Sequence, residues 1–319
     1  MASEGPLGPA DVESVWLCMK AALSHNDAER RHAEAVLRAL ESRENFCSCL
    51  VEVLGHRDVD DSAQWLAAVQ LKNLVARHWA RDRMARGSTA ARTFSPEERM
   101  HLRAKFMGLS ALRNAKLAVQ VALIFAKVAR HDYPDAWPSL FDDLLAKLHA
   151  HEGDVRLTSR TYLVLHHVLK ELASKRLLAD QKRFEGVTER LIDFVWAHWT
   201  GGVQAVLAAL PAGLEAATSP AAAQLELLLE QWMLVTKILR RLLVNGFGKC
   251  ASVGSRIQAL RARGRDTCVR AGTCARWSRR SGCGAVCPRW RLRCRRCCSS
   301  ALPPPRPAAA ATPCWTSPR

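Results

Sequence analysis

The chain has 319 residues, 49% of them hydrophobic but only 6% aromatic, and a formal net charge of +17. That length allows one or two domains with a substantial core, and the prevalence of Ala and Leu favours helices over strands. No stretch reads as a membrane span, because the most apolar region, 202–223, is broken by Pro211, Glu215 and Pro220, and no secretory signal opens the chain. Most of the charge, +14, falls in residues 250–319, so the body (1–249, net +3) has no charge excess that would mark it for nucleic acid.

The body reads as helix after helix, with no run of period-2 alternation and no hairpin signal. Residues 1–10 read as a flexible leader. Asp11 is placed to cap a helix over 11–24. Asn26, with Glu29 three residues on, opens a second over 27–41, and a third follows over 44–55. Asp61 with Gln64 opens a fourth over 62–80. Residues 81–94, rich in Arg, Ala, Gly and Ser, read as a mobile loop. Ser95-Pro96-Glu97-Glu98 then gives a strong start for 96–109, with Ser as N-cap and Pro at the first helical position. Further helices are expected over 113–131, 137–150, 155–174 (capped by Asp154), 181–200 and 222–245, with an insert at 201–221. The ten fall into five antiparallel pairs whose second members start near 27, 62, 113, 155 and 222. That spacing scatters around the about 40–47 residues of HEAT or armadillo repeats. The fold class is therefore all-α, an α-α superhelix.

Such pairs cannot bury their apolar faces alone. Around Trp65, one face carries Trp65, Ala68, Val69, Ala76 and Trp79, and another carries Ala67, Leu71, Leu74 and Val75. Both are expected to be packed, as in a stacked solenoid. The polar remainder is a stripe of Gln70, Asn73, Arg77 and Arg81. After Asn114, the residues Leu117, Val121, Ile124, Phe125 and Val128 are expected inside, and Lys116, Gln120, Lys127 and His131 line up beside them. Stripes stacked repeat on repeat make a surface suited to binding proteins rather than to catalysis.

Several segments together resemble a known family. Ala33-Glu34-Ala35-Val36-Leu37, followed by Trp65-Leu66-Ala67-Ala68-Val69-Gln70-Leu71-Lys72-Asn73, is similar to the N-terminal domain of the importin-β superfamily, here at about 33–109. In that family an A-E-x-x-L helix precedes an A-x-x-x-L-K-N helix. Gln120–Arg130 followed by Asp132-Tyr133-Pro134-Asp135-Ala136-Trp137-Pro138 resembles the turn between the family's third and fourth repeats, where the prolines end one helix and start the next. Lys170–Asp180 and Leu239–Phe247 look like the importin-eleven branch. The resemblance covers residues 11–248. It implies the N-terminal part of a nuclear transport receptor, not an enzyme. Such a receptor binds the small GTPase Ran in its GTP form, meets nucleoporins and protein cargo when complete, and moves between cytoplasm and nucleus through the pore. Lys72 and Asn73 match the family's L-K-N position and are the leading candidates for contacting Ran. Gln70, Arg77, Lys116, Gln120, Lys127 and Arg160 are candidates because they fall on the inner stripe. The plainer reading of all eight is a hydrated helix face, and the plainer reading of the whole is a helical-repeat scaffold without GTPase dependence.

The residues carry no catalytic constellation. Gly246-Phe247-Gly248-Lys249 lacks the first Gly and the final Ser or Thr of a P-loop, and there is no nucleophile elbow, H-E-x-x-H or Rossmann fingerprint. No cofactor is expected. His78 and His166-His167 lack a carboxylate or Cys at ligand spacing and read as packed or surface histidines.

After Lys249 the composition changes abruptly. Residues 250–319 contain 15 Arg, one acid (Asp266), nine of the 12 Cys, and no Lys, Glu, Phe, Tyr, Asn, His or Met. GC-rich codons read in a wrong frame give this composition, so a frameshift, retained intron or mispredicted exon explains why the resemblance stops there. A disordered, low-complexity tail is expected. Cys283, Cys287, Cys294 and Cys297 have a poor zinc spacing. The Arg run 289–296 would hold nucleic acid only non-specifically.

Overall fold

The structure is a computed structural model and describes residues 6–56, 58–80, 94–109, 112, 114–215 and 219–247. Residues 1–5, most of the expected loop at 81–94, and the whole Arg- and Cys-rich tail with its zinc and nucleic-acid readings lie outside the described residues.

Among the described residues there are ten helices and no strands: α1 Asp11–Ala22, α2 Asp27–Leu40, α3 Phe46–Gly55, α4 Asp61–His78, α5 Pro96–Gly108, α6 Ala115–Asp132, α7 Leu140–Ala150, α8 Val155–Ala173, α9 Leu178–Glu215 and α10 Pro220–Asn245. Each of the five consecutive pairs is in contact. The second helices also pack in series, α4 on α6, α6 on α8 and α8 on α10, while α1, α3 and α5 form the facing first row. One continuous apolar core runs from Leu7 to Leu242. The expected all-α solenoid is what the chain forms.

Local chemistry accounts for most boundaries. The side-chain oxygens of Asn26, Asn114 and Asp154 each accept from the backbone N–H groups two and three residues ahead. Ser95 accepts from the Glu98 N–H at 3.1 Å, with Pro96 in the first turn. These bonds satisfy donors that no earlier carbonyl reaches. Two caps are shifted by one residue from expectation. Asp60 caps α4 by accepting from Ala63. Asp11 lies inside α1, and its carboxylate accepts from the Gly8 N–H at 2.8 Å.

Four differences from the sequence reading have physical causes. Within the expected leader, Leu7 is buried and its N–H donates to the Glu44 carbonyl, so residues 7–10 are strapped to the fold. Phe94, assigned to the loop, is buried against Trp79, with ring centroids 4.8 Å apart. Helix α7 starts at Leu140, because Ala136 and Trp137 turn back to donate to the Asp132 carbonyl. The break expected at 201–221 occurs only at its end: α9 runs 38 residues straight through Pro211. Proline inside a helix costs about 3 kcal/mol, but α10 lies close along α9 and supports it. A Cβ on Gly202 would sit 2.9 Å from the Trp232 ring, and one on Gly213 would sit 2.5 Å from Leu225 Cδ2. Glycine at both positions admits the neighbouring helix.

The junction of α4, α5, α6 and the turn to α7 is tied by one buried carboxylate. Asp132 accepts from Trp79 Nε1 at 3.0 Å and from Arg103 Nε at 2.8 Å, with Arg103 Nη2 at 2.7 Å. Arg103 also donates to the Ala136 carbonyl at 3.0 Å. Arg99 lies 4.7 Å over the Trp79 ring and donates to the Trp79 carbonyl. Trp137 packs on Phe125, with ring centroids 5.1 Å apart. Asp132→Ala would strand the Arg103 guanidinium and the Trp79 N–H. Its expected cost is about 3–5 kcal/mol in urea unfolding, as for other broken buried pairs, against well under half that for the exposed Asp58→Ala.

Candidate protein-interaction surface

The second-row helices turn a polar stripe outward. On α4 it is built from Trp65, Val69, Lys72, Asn73, Ala76 and Arg77, which recur at helical spacing, while Ala67, Ala68, Leu71, Leu74 and Val75 are buried behind them. On α6, Lys116, Gln120, Leu123 and Lys127 occupy the same position over buried Leu117, Val121, Ile124, Phe125 and Val128, the division expected from the sequence.

The candidate residues fall into separate arrangements. Lys72 and Gln120 are brought together: Lys72 Nζ donates to Gln120 Oε1 at 3.2 Å, bridging α4 and α6. Asn73 is exposed next to that bridge. Arg77 turns the other way, donating from Nε to the Asn73 carbonyl and pairing with Glu41 of α2 at 3.2 Å. Gln70 is half-buried, and its Oε1 has no hydrogen-bond partner. Lys116 is exposed in the first turn of α6. Lys127 is held by Glu171 of α8 at 2.9 Å, a carboxylate it shares with Arg130. Arg160 lies further along, half-buried on α8, with its Nε unpartnered. Burial lowers the Arg160 pKa and Glu230 opposes that shift.

The expectation for Trp65 was wrong in a useful way. Placed on a packed face by its apolar character, it is 42% exposed, and Ala76 is exposed on the same side. The cue in the sequence was phase: Trp65 lies seven residues before Lys72, hence on the polar face. Exposed Trp65, two helical turns from Lys72 on the same face, is a residue type enriched in binding hot spots.

Toward α8 and α10 cations outnumber the carboxylates Glu171, Glu226 and Glu230. Lys116, Arg156, Arg160, Lys170, Lys237, Arg240 and Arg241 make no ion pair among the described residues. Within this field, burial pushes the His166 imidazole down to about 4, and His167, Arg241, Lys237 and Lys170 act in the same direction. Burial and Lys170 also lower His167, against Glu171. Both Nδ1 atoms lack a hydrogen-bond partner. No group of three or more His, Cys, Asp or Glu among the described residues could hold a metal.

The sign of the His166 effect is fixed. The unfolded imidazole takes up its proton near pH 6.5, whereas the folded one waits until about pH 4. Between those values the unfolded state binds more protons, so stability falls as pH drops from 6.5 toward 4 and the loss levels off below that. His166→Phe is expected to flatten this part of the stability–pH curve; guanidinium unfolding across the window measures it.

The comparisons with known proteins agree with this architecture. Residues 33–109 match the Importin-beta N-terminal domain, and residues 114–232 match the Exportin 1-like protein family. The chain is 33% identical over 226 residues to Importin-11 of Homo sapiens, covering 71% of this chain and 22% of that protein. It is 30% identical over 183 residues to the Importin beta-like protein kap113 of Schizosaccharomyces pombe, covering 57% of this chain and 18% of that one. The solved structure of the exportin Cse1 in its cargo-free, cytoplasmic state superimposes with a TM-score of 0.57 at 19% identity, over 72% of this chain and 23% of that chain. The chain thus spans about a fifth of the length of these relatives. With both family matches in order along the helical body, this chain belongs to the importin-β superfamily and is similar to its importin-11 branch.

Proposed function

We propose that this chain is the N-terminal part of a nuclear transport receptor, and that the α4–α6 face binds Ran in its GTP state. The supporting observation is the Lys72–Gln120 bridge next to exposed Asn73, with exposed Trp65 two turns away on the same face, on a helix inside the segment that matches the Importin-beta N-terminal domain. On this reading residues 11–248 are the receptor's first repeats, and 249–319 are a foreign, low-complexity extension. Trafficking between cytoplasm and nucleus, and contact with nucleoporins and protein cargo, belong to the same proposal. Members of this family are transport receptors rather than enzymes, which fits a surface of stripes without a catalytic cluster.

The chemistry suits a GTPase in one nucleotide state. A GTPase's switch segments are ordered by the γ-phosphate and relax after hydrolysis. A face built on packed helices selects the ordered shape. Lys72, oriented by one donor to Gln120, offers its two remaining donors to a carboxylate or backbone carbonyl. Asn73 both donates and accepts, and Trp65 offers apolar area at low entropic cost.

The test is binding of the full chain to Ran loaded with a non-hydrolysable GTP analogue or with GDP. The GTP form is expected to bind more tightly. Lys72→Ala with Asn73→Ala is expected to weaken it by about 2 kcal/mol, roughly 30-fold. Trp65→Ala should weaken it as well while lowering the melting temperature only slightly, because the side chain is 42% exposed. Equal binding of both nucleotide states, or no effect of the double variant, would favour the scaffold without GTPase dependence.

A further inference from the structure

Helices α8 and α10 pack together at the far end of the second row. Gln231 Nε2 of α10 donates to Thr158 Oγ1 of α8 at 3.0 Å. His166 lies eight residues beyond Thr158, about 12 Å further along α8, and Lys237 and Arg241 act on it across the seam. The two helices therefore run in the same direction, and His166 falls level with the stretch of α10 between Lys237 and Arg241. Lys170 is one turn beyond His166, as Arg241 is one turn beyond Lys237, so each pair shares a helix face. His167 stands beside His166, with ring centroids 5.2 Å apart. Lys170 and Lys237 are exposed, whereas both histidines and Arg241 are half-buried. Among the described residues, Nδ1 of His166, Nδ1 of His167 and Nε of Arg241 are buried without a hydrogen-bond partner, a state that few native polar groups keep without a ligand or water.

Carboxylates bound this seam and leave its centre unopposed. Toward the start of α8, Glu230 acts on Arg160. Toward α6, Glu171 takes Lys127 at 2.9 Å and Arg130 at 3.4 Å, and it also acts on His167. Between them, burial holds the His166 imidazole down at about 4, and the groups that add to this come from α8 (His167, Lys170) and α10 (Lys237, Arg241). Burial and Arg240 likewise lower the pKa of Arg241. The unopposed stretch from His166 to Lys170 measures about 6 Å along the helix.

We propose that the α8–α10 seam binds a phosphorylated side chain of a partner protein, with Lys237 and Arg241 on one side of the phosphoryl group and His166 and Lys170 on the other. A phosphoryl group brings three acceptor oxygens and a charge of about −1.5 to −2, which suits donors converging from two helices better than a carboxylate does. The Arg241 guanidinium carries a hydrogen on the buried Nε and can take two oxygens at once. Lys170 and Lys237 act as point charges. The bound dianion offsets the cations that keep His166 neutral, so His166 takes up a proton more readily and donates to the ligand. One phosphoryl group fits the unopposed stretch, whereas a nucleic-acid strand would run from it onto Glu230 or Glu171. The seam is apart from the Lys72–Gln120 bridge, and no Ran is needed in its test, so its failure would leave the Ran reading untouched.

The test uses the full chain and fluorescein-labelled, amidated peptides Gly-Ala-X-Ala-Gly in which X is phosphoserine, Asp or Ser, followed by anisotropy. The phosphoserine peptide is expected to bind, and the Asp and Ser peptides to bind at least about tenfold more weakly. Lys170→Gln with Lys237→Gln, both at exposed positions, is expected to weaken the phosphoserine peptide about tenfold. Arg156→Gln, an exposed cation ten residues before His166, should change it by less than about twofold. The Arg-rich residues 250–319 attract any anion, so the seam is read from this contrast and from a local probe. That probe is the His166 ring signal in an NMR pH titration, assigned with His166→Gln. Its midpoint is expected to rise from about 4 toward the ordinary imidazole value with the phosphoserine peptide and to stay in place with the Ser peptide. Equal binding of the phosphoserine and Ser peptides, indifference to the Gln double variant, or an unmoved His166 midpoint would each overturn the proposal. So would an oligouridylate that binds more tightly than the phosphoserine peptide and loses that binding in the double variant, which would give the seam to nucleic acid.

Discussion

The placement of α4, α5 and α6 depends on the Asp132 carboxylate, which is buried at the end of α6. A buried charge survives only if its desolvation is offset by close donors. Here Trp79 from the end of α4 and Arg103 from α5 supply them, and Arg103 then fastens the start of the turn to α7 at Ala136. The requirement to satisfy one carboxylate fixes where three helices meet. Aromatic packing follows from it: Phe94 and Arg99 cover Trp79, and Trp137 covers Phe125. Because α4 and α6 are locked here at their C-terminal ends, their outward stripes run side by side, and Lys72 comes within hydrogen-bond distance of Gln120.

The two rows of helices present different surfaces. The second row offers cations that lack ion-pair partners among the described residues, concentrated from α6 to α10, with His166 and His167 kept neutral by burial in their midst. The first row offers an apolar cavity ringed by carboxylates between α1, α3 and α5. Each helix pair thus has one face for the shared core and one for solvent, and two helices per repeat give two surfaces.

Much of the fold could be read directly from residue types. Caps at Asn26, Ser95 and Asp154, and the apolar phase of α6, are local, since a side chain bonds to backbone two or three residues away and core residues recur every three or four. The candidate surface was readable only in part. Polar phase marked Asn73, Lys116 and Gln120, and the resemblance marked Lys72, but apolar character misplaced Trp65. Hydrophobic character argues for burial, whereas exposure depends on whether a neighbouring helix arrives, and none covers that face of α4.

What the sequence determined by itself was therefore the helices, their pairing into repeats, their apolar faces and their family, because each rests on interactions within a few residues or on motifs in order. Tertiary structure decided the rest. Helix α9 continues past Gly201, Gly202 and Pro211 because α10 packs along it at Gly202 and Gly213. Phe94 and Leu7 are ordered by partners at Trp79 and Glu44. The Lys72–Gln120 contact joins residues 48 apart, and the acidic cavity gathers α1, α3 and α5 with the strap. These features are set by which surfaces meet, and a one-dimensional pattern does not contain that information.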